Sequence, residues 1–127
     1  MSDTIYKRAD WIANTNIYEV NIRQYTSEGS FNAFAEALPR LIEMGVEVLW
    51  FMPIHPIGKI NRKGTLGSYY SISDFKGVNP EFGTAADFKN LVKLAHDCGM
   101  KVIMDWVANH AAWDNVWTED HPEYFVR

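Results

Sequence analysis

The chain has 127 residues, of which 47% are apolar, so it holds one domain at most and can form a hydrophobic core. Its formal net charge is −4 without any run of Lys or Arg, which disfavours a nucleic-acid partner. No apolar stretch is long enough to span a membrane, and Met1 to Thr4 lack the pattern of a secretory signal, so we expect a cytoplasmic protein or one whose signal has been removed.

The first third of the chain predicts a strand followed by a helix. Residues Asn16 to Ile22 alternate in polarity and are rich in β-branched and aromatic side chains, which favours a strand. Ser30 is a plausible N-cap, Gly45 a plausible C-terminal stop, and Pro39 predicts a kink or a division of the helix. The helix, near Phe31 to Met44, has apolar residues at helical spacing: Phe31, Phe34, Ala35, Leu38, Leu41 and Ile42.

The middle third predicts a buried strand and a long loop. Val46 to Met52 is almost continuously apolar, as expected for a strand that is covered on both faces. The segment from Ile54 to Gly83 is rich in Gly, Pro, Asn and Ser. Loops of this length within a compact domain are usually functional, so this one is a candidate part of a site.

A second helix and a third strand follow the loop. Thr84 and Asp87 have the spacing of a capping box, and the helix is predicted near Ala85 to Cys98. Its buried stripe is expected to comprise Phe88, Leu91, Val92 and Ala95. Cys98, the lone cysteine, excludes an internal disulfide and is interpreted as a small core residue. The third strand is predicted near Met100 to Asp105.

The alternation of three strands and two helices predicts a parallel sheet with right-handed crossovers. Trp11 and Ile12, which precede the first strand, could lie under this fold as a lid. After the third strand the chain becomes aromatic and polar, and no fourth strand is predicted.

Polar side chains gather just after the third strand. The apolar run Val102 to Met104 leads straight into Asp105, and Asn109 and His110 follow within one short loop. Sites in parallel α/β folds are built at the carboxyl ends of strands, so these side chains are candidates for one. The alternative is that Asp105 caps a turn and that His110 lies on the surface.

Four stretches, in order, resemble the N-terminal part of an α-amylase family (glycoside hydrolase family 13) catalytic domain. They are the strand end Leu49–Ile54, the tyrosine-containing loop Gly67–Phe75, the helix lead Val78–Thr84, and Asp105-Trp106-Val107-Ala108-Asn109-His110, similar to the family's Asp-x-x-x-Asn-His signature. The resemblance covers roughly residues 17–125. It implies an α/β fold that is a partial (β/α)8 TIM barrel with the first three parallel strands and two crossover helices, and an insertion starting near 111–127.

The resemblance also implies roles for individual residues. His110 would donate to a sugar hydroxyl beside the scissile bond, and Tyr70 would stack on a sugar ring. Asp105 would orient an Arg from a later strand, and Trp113 would flank the substrate unless it belongs to the core. Asn109 is a calcium ligand in many members, so calcium is implied only for the complete protein, and no other cofactor is expected.

Tyr70 has an alternative interpretation, in which its ring packs beneath Phe75 as an ordinary loop aromatic. Trp117 likewise either flanks the substrate or belongs to the core.

The family's catalytic carboxylates are absent from this stretch. A retaining glycosidase needs two carboxyl groups about 5 Å apart. In the family that this chain resembles, these groups follow strands later than the third. The acidic residues elsewhere in the chain have no clear partner near Asp105: Glu19, Glu43, Glu47, Asp74, Glu81 and Asp87. A complete barrel takes about 250 residues, so we expect this chain to be inactive alone.

Three functions therefore remain open at the level of sequence. The first is a segment of a retaining enzyme that acts on α-glucans such as starch and maltooligosaccharides, either by hydrolysis or by transglycosylation. The second is a non-catalytic glucan-binding module, and the third is a small α/β association domain. In each case the open strand edges and apolar strand faces predict a homo-oligomer or association with the missing part of the barrel.

Overall fold

A computed structural model describes residues 8–126 and contains one small sheet with helices between its strands. The strands are β1 (Ile17–Val20), β2 (Val48–Phe51) and β3 (Lys101–Met104). The helices are α1 (Ile22–Tyr25), α2 (Phe31–Ala35), α3 (Leu38–Glu43), α4 (Ala85–Asp97) and α5 (Trp117–Asp120). Two short 3-10 turns cover Asp10–Ile12 and Pro122–Tyr124.

The sheet confirms the predicted topology. Its strand order is β1-β2-β3, and both pairings are parallel. Phe51 in the central strand is paired with Val20 on one side and with Met104 on the other. All three strands therefore end at the same edge, and the chain segments that leave β2 and β3 start side by side.

The two faces of the sheet have different surroundings. Because side chains alternate along a strand, one face carries residues that join the core with the helices: Tyr18, Val20, Leu49, Phe51 and Val102. The other face carries Ile17 and Ile103, which are 56% and 37% exposed. On that face Val48 alone is almost fully buried, so burial of β2 on both faces is only partly realised.

The first predicted helix is divided in two. Ser30 caps α2 by accepting a hydrogen bond from the backbone N–H of Ala33, as predicted. The helix breaks after Ala35, and Pro39 lies in the first turn of α3. Backbone N–H groups in a first turn have no partner within the helix, so the missing N–H of proline costs no helical hydrogen bond there. The predicted inward position of Ile42 is wrong, since its side chain is 40% exposed.

Three other expectations need correction. Ile22 begins α1 and does not extend β1, because the strand pairing ends at Val20. Cys98 is exposed, and it lies at the C-cap of α4, past the last helical residue. Trp11 and Ile12 are 45% and 42% exposed in their 3-10 turn and do not form a buried lid.

Helix α4 has the predicted start. Thr84 accepts a hydrogen bond from the Asp87 N–H, and the Asp87 carboxylate accepts one from the Thr84 N–H. The helix is too short and too polar to cross a membrane, as are the other helices of residues 8–126. On its inner side Leu91 and Ala95 are buried, whereas Phe88 and Val92 are half-buried.

The long loop between β2 and α4, residues 54–83, is fastened to the segment after β3. Ile57 and Ile72 form an antiparallel bridge within the loop. The Asp114 carboxylate accepts hydrogen bonds from the backbone N–H groups of Lys59 and Ile60, at 2.7 and 3.3 Å. Gly58 lies so close to this contact that a β-carbon there would overlap Ala112 Cβ and stand 2.5 Å from Asp114 Oδ1.

We expect Gly58→Ala to destabilise the fold by about 1–3 kcal/mol, because the added methyl group overpacks this contact. Urea unfolding measures the change in the free energy of unfolding. The double variant with Ala112→Gly should recover part of the loss, and Ala112→Gly alone is the control. A Gly58→Ala protein as stable as the wild type would contradict the predicted overlap.

The loop contact should also make stability depend on pH. The Lys59 N–H, and then the Ile60 N–H, hold the pKa of Asp114 below its ordinary value. A carboxyl group with a lowered folded pKa stabilises the protein above its unfolded pKa of about 3.9, and this contribution is lost as pH falls through the folded value. We expect Asp114→Asn to make the acid-induced loss of stability shallower below about pH 4.

Urea unfolding at pH 7 and at several values below pH 4 tests this expectation. Asp120→Asn removes a negative charge from an exposed aspartate and controls for net charge. Parallel stability profiles for wild type and Asp114→Asn would show that the Asp114 contact contributes nothing to acid sensitivity.

Candidate functional site

The candidate site begins where β2 and β3 end. The Asp105 N–H donates to the Phe51 carbonyl at 2.9 Å, which continues the parallel ladder by one residue beyond β3. The Asp105 side chain is half-buried at this edge. The backbone ladder therefore fixes the carboxylate relative to the start of the loop that follows β2.

Tyr70 reaches this carboxylate from the long loop. Its hydroxyl donates to Asp105 Oδ2 at 2.9 Å. Burial raises the pKa of Tyr70 to about 12, and the hydrogen bond and negative charge of Asp105 act in the same direction. The phenol is therefore protonated at neutral pH and remains a donor to Asp105.

His110 completes the group by contacting the backbone of Tyr70. Its Nε2 lies 3.1 Å from the Tyr70 carbonyl oxygen, and its Nδ1 lies 3.4 Å from Asn109 Nδ2. A carbonyl can only accept, so Nε2 carries the proton and Nδ1 of the neutral ring is an acceptor. The ring itself is exposed and accessible to a ligand.

An open cavity of about 800 Å³ adjoins this group. Asn109, His110 and Trp113 line it, whereas Tyr70 and Asp105 lie outside its lining. Trp113 is 77% exposed and Trp106 is 70% exposed, so the cavity has a largely aromatic wall that is open to solvent. Four of the predicted site residues therefore form one hydrogen-bonded group, namely Tyr70, Asp105, Asn109 and His110, and Trp113 borders the adjoining cavity.

Tyr70 and Trp117 each have two interpretations, and the contacts of these two side chains differ. Tyr70 is held by Asp105. Trp117 is half-buried and stacks on Phe75, with ring centroids 5.1 Å apart, so it acts as a packing residue that also borders the cavity.

Metal ligands are sparse around the site. Within residues 8–126, no group of three or more His, Cys, Asp or Glu side chains could hold a metal ion. Asn109 is exposed and offers one amide oxygen, whereas calcium takes six or more oxygen ligands. The side chains of this segment do not by themselves fit a calcium site.

Sequence reasoning missed the residues that anchor the loop around Tyr70. Arg23 on α1 forms a salt bridge with Glu81, with Nε 2.6 Å from Oε1, and its guanidinium lies 4.5 Å from the centre of the Tyr69 ring. Asn115 is buried and donates to the Ile72 carbonyl at 2.9 Å. Both contacts join residues more than forty positions apart, which no local pattern indicates.

Known proteins resemble this chain in sequence. An alpha-1,4-glucan:maltose-1-phosphate maltosyltransferase from Mycolicibacterium smegmatis is 40% identical over 77% of this chain and 16% of its own length. The enzyme of the same name from Rhodospirillum rubrum is 39% identical over 85% of this chain and 18% of its own length. The chain thus spans less than a fifth of these two relatives.

Solved structures resemble it in fold as well. An alpha-amylase from Lactobacillus plantarum matches 87% of this chain and 26% of its own chain, with 50% identity and a TM-score of 0.85. A noncanonic maltogenic alpha-amylase, AmyB, from Thermotoga neapolitana matches with 48% identity and a TM-score of 0.83, over 87% of this chain and 27% of its own.

The family model for the alpha-amylase catalytic domain matches residues 6–124. This match and the close structural neighbours confirm the resemblance that the signature around Asp105 and the loop around Tyr70 indicated. The chain belongs to the alpha-amylase family and carries part of its catalytic-domain fold.

Proposed function

We propose that this chain supplies part of the substrate-binding rim of a retaining enzyme acting on α-glucans, and that it does not cleave glucan alone. The observation that carries the proposal is the connected group of Tyr70, Asp105 and His110 beside an open, aromatic-walled cavity. The names of the relatives, glucan maltosyltransferases and alpha-amylases, support an α-glucan such as a maltooligosaccharide as the ligand.

His110 would bind a sugar hydroxyl in this proposal. Its Nδ1 can accept a hydrogen bond from a hydroxyl in place of Asn109 Nδ2, and its Nε2 can donate to one by exchanging the Tyr70 carbonyl for the sugar. The Tyr70 ring would offer a flat apolar surface to a sugar, while Asp105 holds its hydroxyl end. Trp113, which is largely exposed beside His110, would contact the next part of the glucan.

The catalytic carboxylates are proposed to come from outside this segment. A retaining mechanism needs a nucleophile and a general acid/base about 5 Å apart. Asp105 is engaged by the Tyr70 hydroxyl, so we assign it a supporting role. Hydrolysis and transglycosylation both fit this rim, because the choice between them depends on water access at the complete site. Calcium would bind Asn109 only with ligands supplied by the rest of the protein.

Glucan binding tests the proposal directly. We expect maltohexaose to change the tryptophan fluorescence of the wild type, because Trp106 and Trp113 line the cavity. His110→Ala should weaken binding roughly 2- to 10-fold through the loss of a hydrogen bond. Tyr70→Ala and Trp113→Ala should also weaken it, through the loss of stacking surface.

His96→Ala is the matched control, because His96 is also an exposed histidine but lies in the last turn of α4. Saturable binding that the site variants weaken and the control does not would support the proposal. A wild type without any response to maltohexaose would overturn it, as would hydrolysis of maltohexaose by the 127-residue chain alone.

We also propose that the 127-residue chain associates in solution, with copies of itself or with the remainder of a barrel. Ile17 and Ile103 are exposed on the open sheet face, and Met104 is 45% exposed at the end of the edge strand β3. At about 25 cal/mol per Å², a few hundred Å² of apolar surface is worth several kcal/mol. This is comparable to the stability of a small domain.

Sedimentation velocity of the isolated chain at high micromolar concentration should therefore reveal dimers or larger species. Ile103→Lys should shift the distribution towards monomer, because it places a charge on the open face. Ile60→Lys is the control, since Ile60 is 58% exposed in the long loop and belongs to no strand of the sheet. A folded monomer at high concentration would refute the association.

A further inference from the structure

Asn115 is the most deeply buried of the polar side chains that the structure describes as buried. It is 1% exposed, against 7% for Asn79 and 8% for His55. Burying an amide costs free energy unless its donors and acceptors find partners. Asn115 Nδ2 donates to the Ile72 carbonyl at 2.9 Å, and Asn115 Oδ1 accepts from the Trp117 N–H at 2.9 Å. The side chain thus forms hydrogen bonds both to the long loop and to its own segment after β3.

The partners of Asn115 lie next to the candidate site. Ile72 is two residues beyond Tyr70, and its carbonyl accepts a second hydrogen bond, from the Ala112 N–H at 2.9 Å. The Val116 N–H donates to the Ser73 carbonyl, also at 2.9 Å. These contacts run alongside the contact between His110 and the Tyr70 carbonyl. The segment after β3 is therefore joined to the tyrosine loop by a short row of hydrogen bonds, to which the exposed His110 and the buried Asn115 each contribute a side-chain donor.

We propose that Asn115 is a positioning residue that sets the placement of Tyr70 relative to Asp105 and His110. The inference rests on the proposed glucan-binding function. The Ile72 carbonyl has two lone pairs, and the Ala112 N–H and Asn115 Nδ2 occupy both. This double contact fixes the direction in which the loop returns from Tyr70. Without it, one hydrogen bond remains at the Ile72 carbonyl, so the loop is held less tightly here and the Tyr70 hydroxyl moves away from Asp105 more easily.

An amide is required at this position because the two roles of Asn115 use different atoms. Accepting from the Trp117 N–H needs only an oxygen, which Asp or Ser also provides. Donating to the Ile72 carbonyl needs the Nδ2 group that an aspartate lacks. Asn115→Asp therefore retains the shape and the acceptor, removes the donor, and places a carboxylate against a carbonyl oxygen.

The titration of Tyr70 reports its placement independently of ligand binding. In the wild type its pKa is about 12, owing to burial and to Asp105. If Asn115→Asp or the milder Asn115→Ser releases the loop, the Tyr70 pKa should fall towards the ordinary value of about 10. NMR of protein labelled at the tyrosine Cζ, assigned with Tyr70→Phe, measures this. The affinity for maltohexaose should fall roughly 2- to 10-fold in the same variants.

Asn79→Ala is the matched control. Asn79 is another buried asparagine, whose Oδ1 accepts from the Glu81 N–H at 3.0 Å, but it lies at the far end of the same loop. The Asn79→Ala variant should have a lower melting temperature but an unchanged Tyr70 pKa. Folded Asn115 variants in which the Tyr70 pKa and the affinity match those of the control would overturn the proposal.

Two further outcomes are distinguishable. If the wild type does not bind maltohexaose, the proposed function fails, while the Tyr70 titration still decides whether Asn115 positions that residue. If both Asn115 variants unfold, hydrogen exchange of the Asn115 side-chain amide protons in the wild type provides the test. Slow exchange of these protons with solvent supports the proposal, and exchange at the rate of a free amide overturns it.

Discussion

The parallel alignment of β2 and β3 is the constraint on which the site depends. Phe51 is paired with Met104, and the hydrogen bond from the Asp105 N–H to the Phe51 carbonyl extends that register to the first polar residue. In a parallel pair both chains leave at the same edge, so the two following segments must begin together. A shift of one residue in β3 would turn Asp105 to the other face, away from Tyr70.

Loop anchoring is the second requirement, because the segment from Ile54 to Gly83 has little regular structure of its own. Three groups of contacts fix it at different points. Arg23 holds its far end through Glu81, Asp114 holds its beginning through two backbone N–H groups, and Asn115 holds its middle through Ile72. Each joins distant parts of the chain and uses a charge or a buried amide, so the conformation of the loop does not depend on hydrophobic contacts alone.

The open sheet face and the exposed aromatic residues follow from the same architecture. The helices cover only the face that bears Val20, Leu49 and Phe51, and this leaves Ile17 and Ile103 in contact with water. Beyond β3, Trp106 and Trp113 are exposed beside His110. Apolar side chains are therefore available on two surfaces, one suited to further strands and the other to a flat polar ligand such as a sugar.

Local sequence determined the elements because their signals act over short distances. Alternation and apolar runs located the three strands to within two residues at each end, and the capping residues Ser30 and Thr84 marked the starts of α2 and α4. Pro39 correctly predicted the division of the first helix. The signature from Asp105 to His110, with the loop around Tyr70, was enough to identify the family, since both stretches are contiguous in the chain.

Only the tertiary structure decided which apolar residues are buried and how the site residues meet. Periodicity placed Ile42 and Cys98 inside, but the sheet offers them no surface to pack against, and both are exposed. The bond between Tyr70 and Asp105 spans 35 residues, and the bond between Asn115 and Ile72 spans 43. Contacts at such separations depend on the path of a long irregular loop. That path is set by hydrogen bonds between distant backbone and side-chain groups, which have no periodic pattern in the sequence.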